Sequence, residues 1–202
     1  NWEDLEQRLL ARRVVLFTGH IEDANANLAV LRLLFLELQD PHKPVVLLIN
    51  TGGGQLYGGF AVYDTIRLLT APVHTVCIGR AESMAAILLA AGVPGHRYVA
   101  PNCRVMIHQP SWTVDGKLHA ADVSVEAAES LAAKVRFARA LAECTGQAEA
   151  DVQKAMEHDN YMSAEEAVVF GVADRIASSL SELFADAHVV DCLRGQHVAP
   201  PR

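Results

Sequence analysis

The chain lacks most of what marks a disulfide-stapled, metal-bound, nucleic-acid-binding or membrane-spanning protein. Only four of its 202 residues are cysteine, namely Cys77, Cys103, Cys144 and Cys192, and no two form a CxxC pair. Each lies in or beside an apolar segment, so buried free thiols in a reducing compartment are expected rather than a disulfide framework. The nine histidines show no HxH or HExxH spacing, so no metal site is expected. Basic residues are outnumbered, 17 against 24 acidic, which leaves a net charge of −7. That balance argues against a nucleic-acid partner, which needs clustered Lys and Arg. The longest apolar run, 85–93, is interrupted by Gly92 and falls short of the ~20 residues a bilayer requires, so no membrane partner is expected. The first residues, Asn1-Trp2-Glu3-Asp4, are acidic where a secretory leader is basic and then apolar, and a cytoplasmic location follows as the expectation.

What is present is a hydrophobic content of 51%, enough for one domain with a sizeable core. Val14-Val15-Leu16-Phe17-Thr18-Gly19, Val45-Val46-Leu47-Leu48-Ile49-Asn50 and Val73-His74-Thr75-Val76-Cys77-Ile78-Gly79 read as buried strands. Helices are expected over 23–39, capped by Asp23, and over 56–69, with a further helical segment after Ser83. In the first, Leu28, Leu31, Phe35 and Leu38 form the stripe expected to face the core. Short strands are expected at 98–100 and 104–108. A long helix follows over 123–144, with a stripe of Leu131, Val135, Ala138 and Leu141 and a stop at Gly146. Helices over 148–157 and 164–170 and a last strand over 172–176 complete the pattern. Strands alternating with helices imply right-handed βαβ crossovers and a mostly parallel sheet in an α/β fold.

Chemistry concentrates at three places. Ser83, in Gly79-Arg80-Ala81-Glu82-Ser83-Met84, stands at a strand-to-helix junction. His108 ends the later strand Arg104-Val105-Met106-Ile107-His108-Gln109-Pro110. A serine hydroxyl becomes a nucleophile when an imidazole takes its proton. Taken alone, Ser83 reads equally as a helix N-cap and His108 as a satisfied buried histidine. The run Gly52-Gly53-Gly54-Gln55-Leu56-Tyr57-Gly58-Gly59 lacks the Gly-Lys-Ser/Thr ending of a phosphate loop and misses the dinucleotide spacing. It reads as a tight turn, or as a loop whose backbone N–H groups face an oxyanion. No cofactor is expected.

The blocks Val14 to Gly19, Ile49-Asn50-Thr51-Gly52-Gly53-Gly54, Tyr63-Asp64-Thr65, Ala81-Glu82-Ser83-Met84, Pro101-Asn102-Cys103 through His108-Gln109-Pro110, Thr145-Gly146-Gln147 and Ser163-Ala164-Glu165-Glu166-Ala167 together resemble the ClpP family, the proteolytic subunit of the bacterial ATP-dependent Clp protease. The resemblance runs from about residue 9 to 176 in the family's order. It implies a crotonase-like αβ spiral head over 1–178 with a handle helix at about 123–144, and a C-terminal extension over 179–202. It assigns Ser83 as nucleophile, His108 as base, Asp159 as the acid, and the backbone N–H groups of Gly54 and Met84 as oxyanion donors. Stacked heptameric rings, homomeric or mixed with a paralogue, an AAA+ unfoldase partner that consumes the ATP, and unfolded polypeptide substrates follow from it. A catalytically weak or regulatory ring subunit is the alternative. An acyl-CoA enzyme on the same fold class would need a CoA site and a carboxylate acid–base pair, against which the Ser/His/Asp match speaks.

The chain departs from the family at several positions. Thr51-Gly52-Gly53-Gly54 stands where Ser-Pro-Gly-Gly is usual, and Glu82 replaces a small residue. Glu82 either turns inward, raising the imidazole pKa or crowding the pocket, or turns outward toward a basic neighbour. His158 takes the place of an arginine that joins the rings. Ser111 to His119, with Trp112, replaces a glycine-rich strand. The docking surface around Val46-Leu47-Leu48 and Leu68-Leu69 lacks the usual aromatic anchors.

Overall fold

The computed structural model of the chain describes residues 2–111, 119–179 and 182. Trp112 and its neighbours, Cys192 and nearly all of the expected extension 179–202 lie outside them. The element order is α1 (Trp2–Leu10), β1 (Val14–Thr18), α2 (Asp23–Gln39), β2 (Val45–Thr51), α3 (Leu56–Leu68), β3 (Val73–Glu82), α4 (Met84–Ala90), β4 (Arg97–Val99), β5 (Arg104–Ile107), α5 (Ala120–Thr145), α6 (Glu149–Ala155), β6 (Asn160–Met162), α7 (Ala164–Phe170) and β7 (Arg175–Ile176). It is a mixed α/β fold. Among the described residues no helix is long and apolar enough to cross a membrane.

The strands form one sheet in the order β1-β2-β3-β4-β7, with β5 pairing β3 and β6 pairing β5. All pairings are parallel except β5–β6. The apolar runs of β1 and β2 are buried on both faces, as parallel strands between helical layers require. The central strand β3 changes partner along its length. Residues Thr75 to Cys77 pair with β4, and Arg80 to Glu82 pair with β5. The switch coincides with a bulge, because Ile49 pairs with Cys77 but Thr51 pairs with Ala81. Gly79 absorbs it with φ 79°, and a Cβ there would lie 2.7 Å from the Asn50 side-chain oxygen.

Four expectations need correction. The α2 cap is Glu22, whose N–H donates to the Asn25 side chain at 2.9 Å, and Asp23 is already helical. The buried face of α2 is Ala26, Ala29, Leu33 and Leu36, while Leu28, Leu31, Phe35 and Leu38 are exposed. Small residues let the helix lie close on the sheet, and the bulkier stripe points outward. In α5 only the second half is buried, through Ala133, Phe137, Ala138 and Leu141, whereas Leu131 and Val135 stand exposed. The last strand is also shorter than 172–176, because only Arg175 and Ile176 join the β4 edge. Gly146 at φ 74° and Gly171 at φ 94° end α5 and α7 in the left-handed conformation that favours glycine.

One buried ion pair ties the far edge of the sheet to the helices. Arg97 on β4 meets Asp174 through Nε at 2.9 Å and Nη2 at 2.5 Å. Its Nη1 donates to the carbonyls of Cys144, Gly171 and Ala90 at 2.8, 2.9 and 3.3 Å. Burial by itself would raise the Asp174 carboxyl, but the hydrogen bonds and charge of Arg97 outweigh it and hold it below the usual carboxylate range. A carboxyl depressed on folding stabilises above its unfolded value, about 3.9, and that contribution is lost as pH falls through the folded value. Asp174→Asn is therefore expected to cost about 3 kcal/mol at pH 7, because it strands a buried guanidinium. Thermal melting should show a gap between wild type and variant at pH 7 that narrows in acid; coincident melting curves at pH 7 would contradict this account.

Candidate active site

Ser83 follows the last residue of β3 and precedes the first of α4. Its backbone sits at φ 56° and ψ −124°, a strained conformation for a residue with a side chain, of the kind that turns a serine out of a strand-to-helix corner. The Ser83 N–H donates to the Met106 carbonyl at 2.7 Å, which fastens the corner to β5. Although Ser83 occupies the N-cap position, its side chain makes no capping hydrogen bond. The hydroxyl instead meets His108: Oγ lies 2.9 Å from Nε2.

His108 comes directly after β5. The antiparallel β5–β6 ladder pairs Ile107 with Asn160, and one step further outward sets His108 opposite Asp159. The imidazole Nδ1 lies 3.0 Å from Asp159 Oδ1. The chain after His108 is anchored by the Gln109 N–H, which donates to the Met156 carbonyl at 2.8 Å. The structure thus brings Ser83, His108 and Asp159 into one hydrogen-bonded line. The imidazole side chain is 26% exposed and the carboxylate 60%, so the line runs from a sheltered hydroxyl to an open acid.

The glycine loop lies beside it. The Thr51 hydroxyl accepts from the Gly53 N–H at 3.1 Å. Ile21 clasps the loop from the other side, donating to the Gly53 carbonyl and accepting from the Gln55 N–H, both at 2.8 Å. Gly53 has φ 84° and Gly54 φ 149°. A Cβ on Gly53 would lie 2.8 Å from the Ser83 Cβ, and one on Gly54 would lie 2.6 Å from the Ile21 nitrogen. Only glycine permits so close an approach. Among the described residues no backbone carbonyl accepts from the Gly54 or Met84 N–H.

Gly54, Ser83, Met84 and His108 line one cavity of about 540 Å³. Leu56, Pro110 and Phe137 give it an apolar wall, and Asp23 and Tyr57 give it polar edges. Nothing in the sequence pattern places Tyr57 or Asp23 on this cavity or signals the Ile21 clasp. Tyr57 donates to Glu129 Oε1 on α5 at 2.6 Å, a contact across more than seventy residues that no local pattern signals. The Tyr57 hydroxyl is raised and the Glu129 carboxyl lowered, each chiefly by this bond. Glu82 does not line the cavity; its carboxylate pairs with Arg80 at 3.3 Å, with the side chain only 17% exposed. His158 is exposed beside Asp159. Cys77 and Cys103 are buried free thiols and Cys144 is half-buried; the bond to Cys103, together with burial, pushes the Cys77 thiol up. The described residues hold no cluster of metal-ligating side chains.

A serine on a strained corner, hydrogen-bonded through histidine to aspartate at the ends of a mostly parallel sheet, has the arrangement of an acyl-transfer site. Residues 1–179 match the Clp protease family model, so the chain belongs to the Clp protease family and is a serine peptidase in the general sense.

The closeness of Gly53 to Ser83 gives a direct expectation. Gly53→Ala forces a Cβ into 2.7 Å of the Glu82 carbonyl and adds left-handed strain. The combined cost is about 2 kcal/mol or more. A lowered melting temperature together with lost peptide cleavage is expected; a variant as stable and as active as wild type would contradict the loop geometry.

Proposed function

We propose that the chain is a Clp-type endopeptidase subunit in which Ser83, His108 and Asp159 act as nucleophile, base and orienting acid. The carrying observation is the pair of distances along the line, 2.9 Å from Ser83 Oγ to His108 Nε2 and 3.0 Å from Nδ1 to Asp159 Oδ1. His108 Nε2 takes the hydroxyl proton as Oγ attacks a peptide carbonyl. Asp159 accepts the Nδ1–H and so keeps Nε2 as the acceptor. The Gly54 and Met84 N–H groups receive the oxyanion. His108 then returns the proton to the leaving amine, and water hydrolyses the acyl-serine by the same path reversed.

We assign residues 1–178 to one peptidase domain, with a spiral head and with α5 as the handle. Rings of seven, stacked in pairs and homomeric or mixed with a paralogue, enclose the site in a chamber. An ATP-driven AAA+ unfoldase feeds it unfolded polypeptide in the cytoplasm. The exposed apolar stripe of α2 and the exposed Val123, Val125 and Leu131 of α5 support self-association, because a lone chain rarely leaves such faces in water. Leu68, 84% exposed, supports an apolar docking contact, while Val46 and Leu47 are fully buried and unable to take part directly.

One observation favours the second reading, a catalytically weak or regulatory ring subunit. Asp159 is 60% exposed, and a solvated carboxylate orients an imidazole less firmly than a buried one. Asp159→Asn is therefore expected to lower kcat by about 10²-fold, less than the ~10⁴ of a buried triad aspartate. Ser83→Ala should lower hydrolysis of a fluorogenic peptide by about 10⁵-fold or more with particle mass unchanged. Hydrolysis that survives Ser83→Ala would refute the nucleophile, and a wild type with no turnover would favour the regulatory subunit.

A further inference from the structure

We propose that Arg80 and Glu82 form a brace that holds the oxyanion loop in its working position, so that both are positioning residues for peptide cleavage; the proposal rests on the peptidase reading above. The two residues alternate with Ala81 on β3, so their side chains share one face of the strand while Ala81 enters the core. Arg80 Nη1 meets Glu82 Oε2 at 3.3 Å, with Glu82 only 17% exposed and Arg80 57%. Arg104, the register neighbour of Arg80 on β5, lies over the Tyr161 ring at 6.0 Å, which leaves Glu82 to Arg80.

The pair lies against the backbone of Gly52. A Cβ on Gly52 would stand 3.1 Å from Arg80 Cζ, 3.2 Å from Arg80 Nη1 and 3.2 Å from Glu82 Oε2. The next residue is pressed by the same strand, since a Cβ on Gly53 would be 2.7 Å from the Glu82 carbonyl. Residue 82 therefore supports the loop twice, by its side chain at Gly52 and by its backbone at Gly53. Three consecutive glycines give this loop the largest conformational freedom a chain can have. Thr51 and Ile21 hold Gly53 and the peptide after Gly54, and Gly52 takes part in none of those bonds. The ion pair supplies the missing restraint where related loops carry a proline. A side chain at residue 52 would press on the guanidinium and the carboxylate, whose ends would have to give by a few tenths of an ångström.

A brace of this kind acts on the transition state. Losing an oxyanion donor costs about 10²–10³ in kcat, and a loosened donor costs a fraction of that. Binding of substrate in its ground state is little affected, so the loss falls on kcat rather than KM. An ion pair with one half-open partner is also screened by salt.

The test uses the assembled full chain and a fluorogenic peptide. Glu82→Gln and Arg80→Gln are each expected to lower kcat about 10-fold with KM within about twofold. Wild-type kcat should fall as NaCl rises from about 0.05 to 1 M at constant particle mass, and both variants should lose that dependence. Gly52→Pro in the Arg80→Ala/Glu82→Ala background should recover kcat, since proline restrains a backbone that the vacated space then admits. Arg80 lies largely outside the core, so Arg80→Gln keeps the test readable if Glu82→Gln fails to fold. Active wild type with both single variants within twofold in kcat and with an unchanged salt profile overturns the brace alone. An inactive wild type overturns the peptidase reading and the brace with it.

Discussion

The hydrogen bond from the Ser83 N–H to the Met106 carbonyl, 2.7 Å long, is the contact on which the site depends. It joins the strand that delivers the serine to the strand that delivers the histidine two residues later. Everything near it follows from how β3 is built. The strand pairs with β4 while it is in the core and moves to β5 once the bulge at Gly79 has redirected it. A straight β3 would stay alongside β4 and carry Ser83 away from His108. The antiparallel addition of β6 then sets Asp159 opposite His108 by register, and the Gln109 hydrogen bonds to the Met156 and Glu157 carbonyls hold the segment before it.

The site stores local strain, and the surrounding packing holds it. Ser83 sits at a positive φ, and the following helix, Met84–Ala90, is buried along its whole length. Met84 packs against Gly59 of α3 so closely that a Cβ there would collide with its side chain. A corner fixed on one side by a buried helix and on the other by a strand hydrogen bond has few alternatives, which is how a strained backbone persists. The glycine loop is held differently. It has no side chains of its own from 52 to 54, so a hydroxyl from Thr51, a backbone clasp from Ile21 and the charged pair on β3 give it shape.

The sequence carried the strands well, because long β-branched runs buried on both faces have no competing reading. Helices α2 and α7 span the expected residues, whereas α1 (Trp2–Leu10) was not anticipated. The sequence carried helix orientation poorly. In α2 both faces are apolar, so periodicity alone did not tell Ala26, Ala29, Leu33 and Leu36 from the larger stripe beside them. In α5 the apolar spacing continues past the point where burial stops. The strand β6 escaped notice because three residues are too few to set a pattern. Ser83 and His108 stood out through chemistry and local context, while Asp159 was legible only through the family resemblance, since nothing around it marks an orienting acid. The direction of Glu82 was left open, and the position of Arg80 two residues earlier decides it.

Covalent labelling tests the central claim most directly. The folded protein is treated with diisopropyl fluorophosphate and the modified residue is mapped by peptide mass spectrometry. A polarised hydroxyl held 2.9 Å from an imidazole nitrogen should give a single adduct on the peptide containing Ser83. That adduct should form about 10³-fold more slowly in His108→Ala, because the proton acceptor is gone. An adduct on another serine, or labelling of Ser83 at the same rate without His108, would contradict the account.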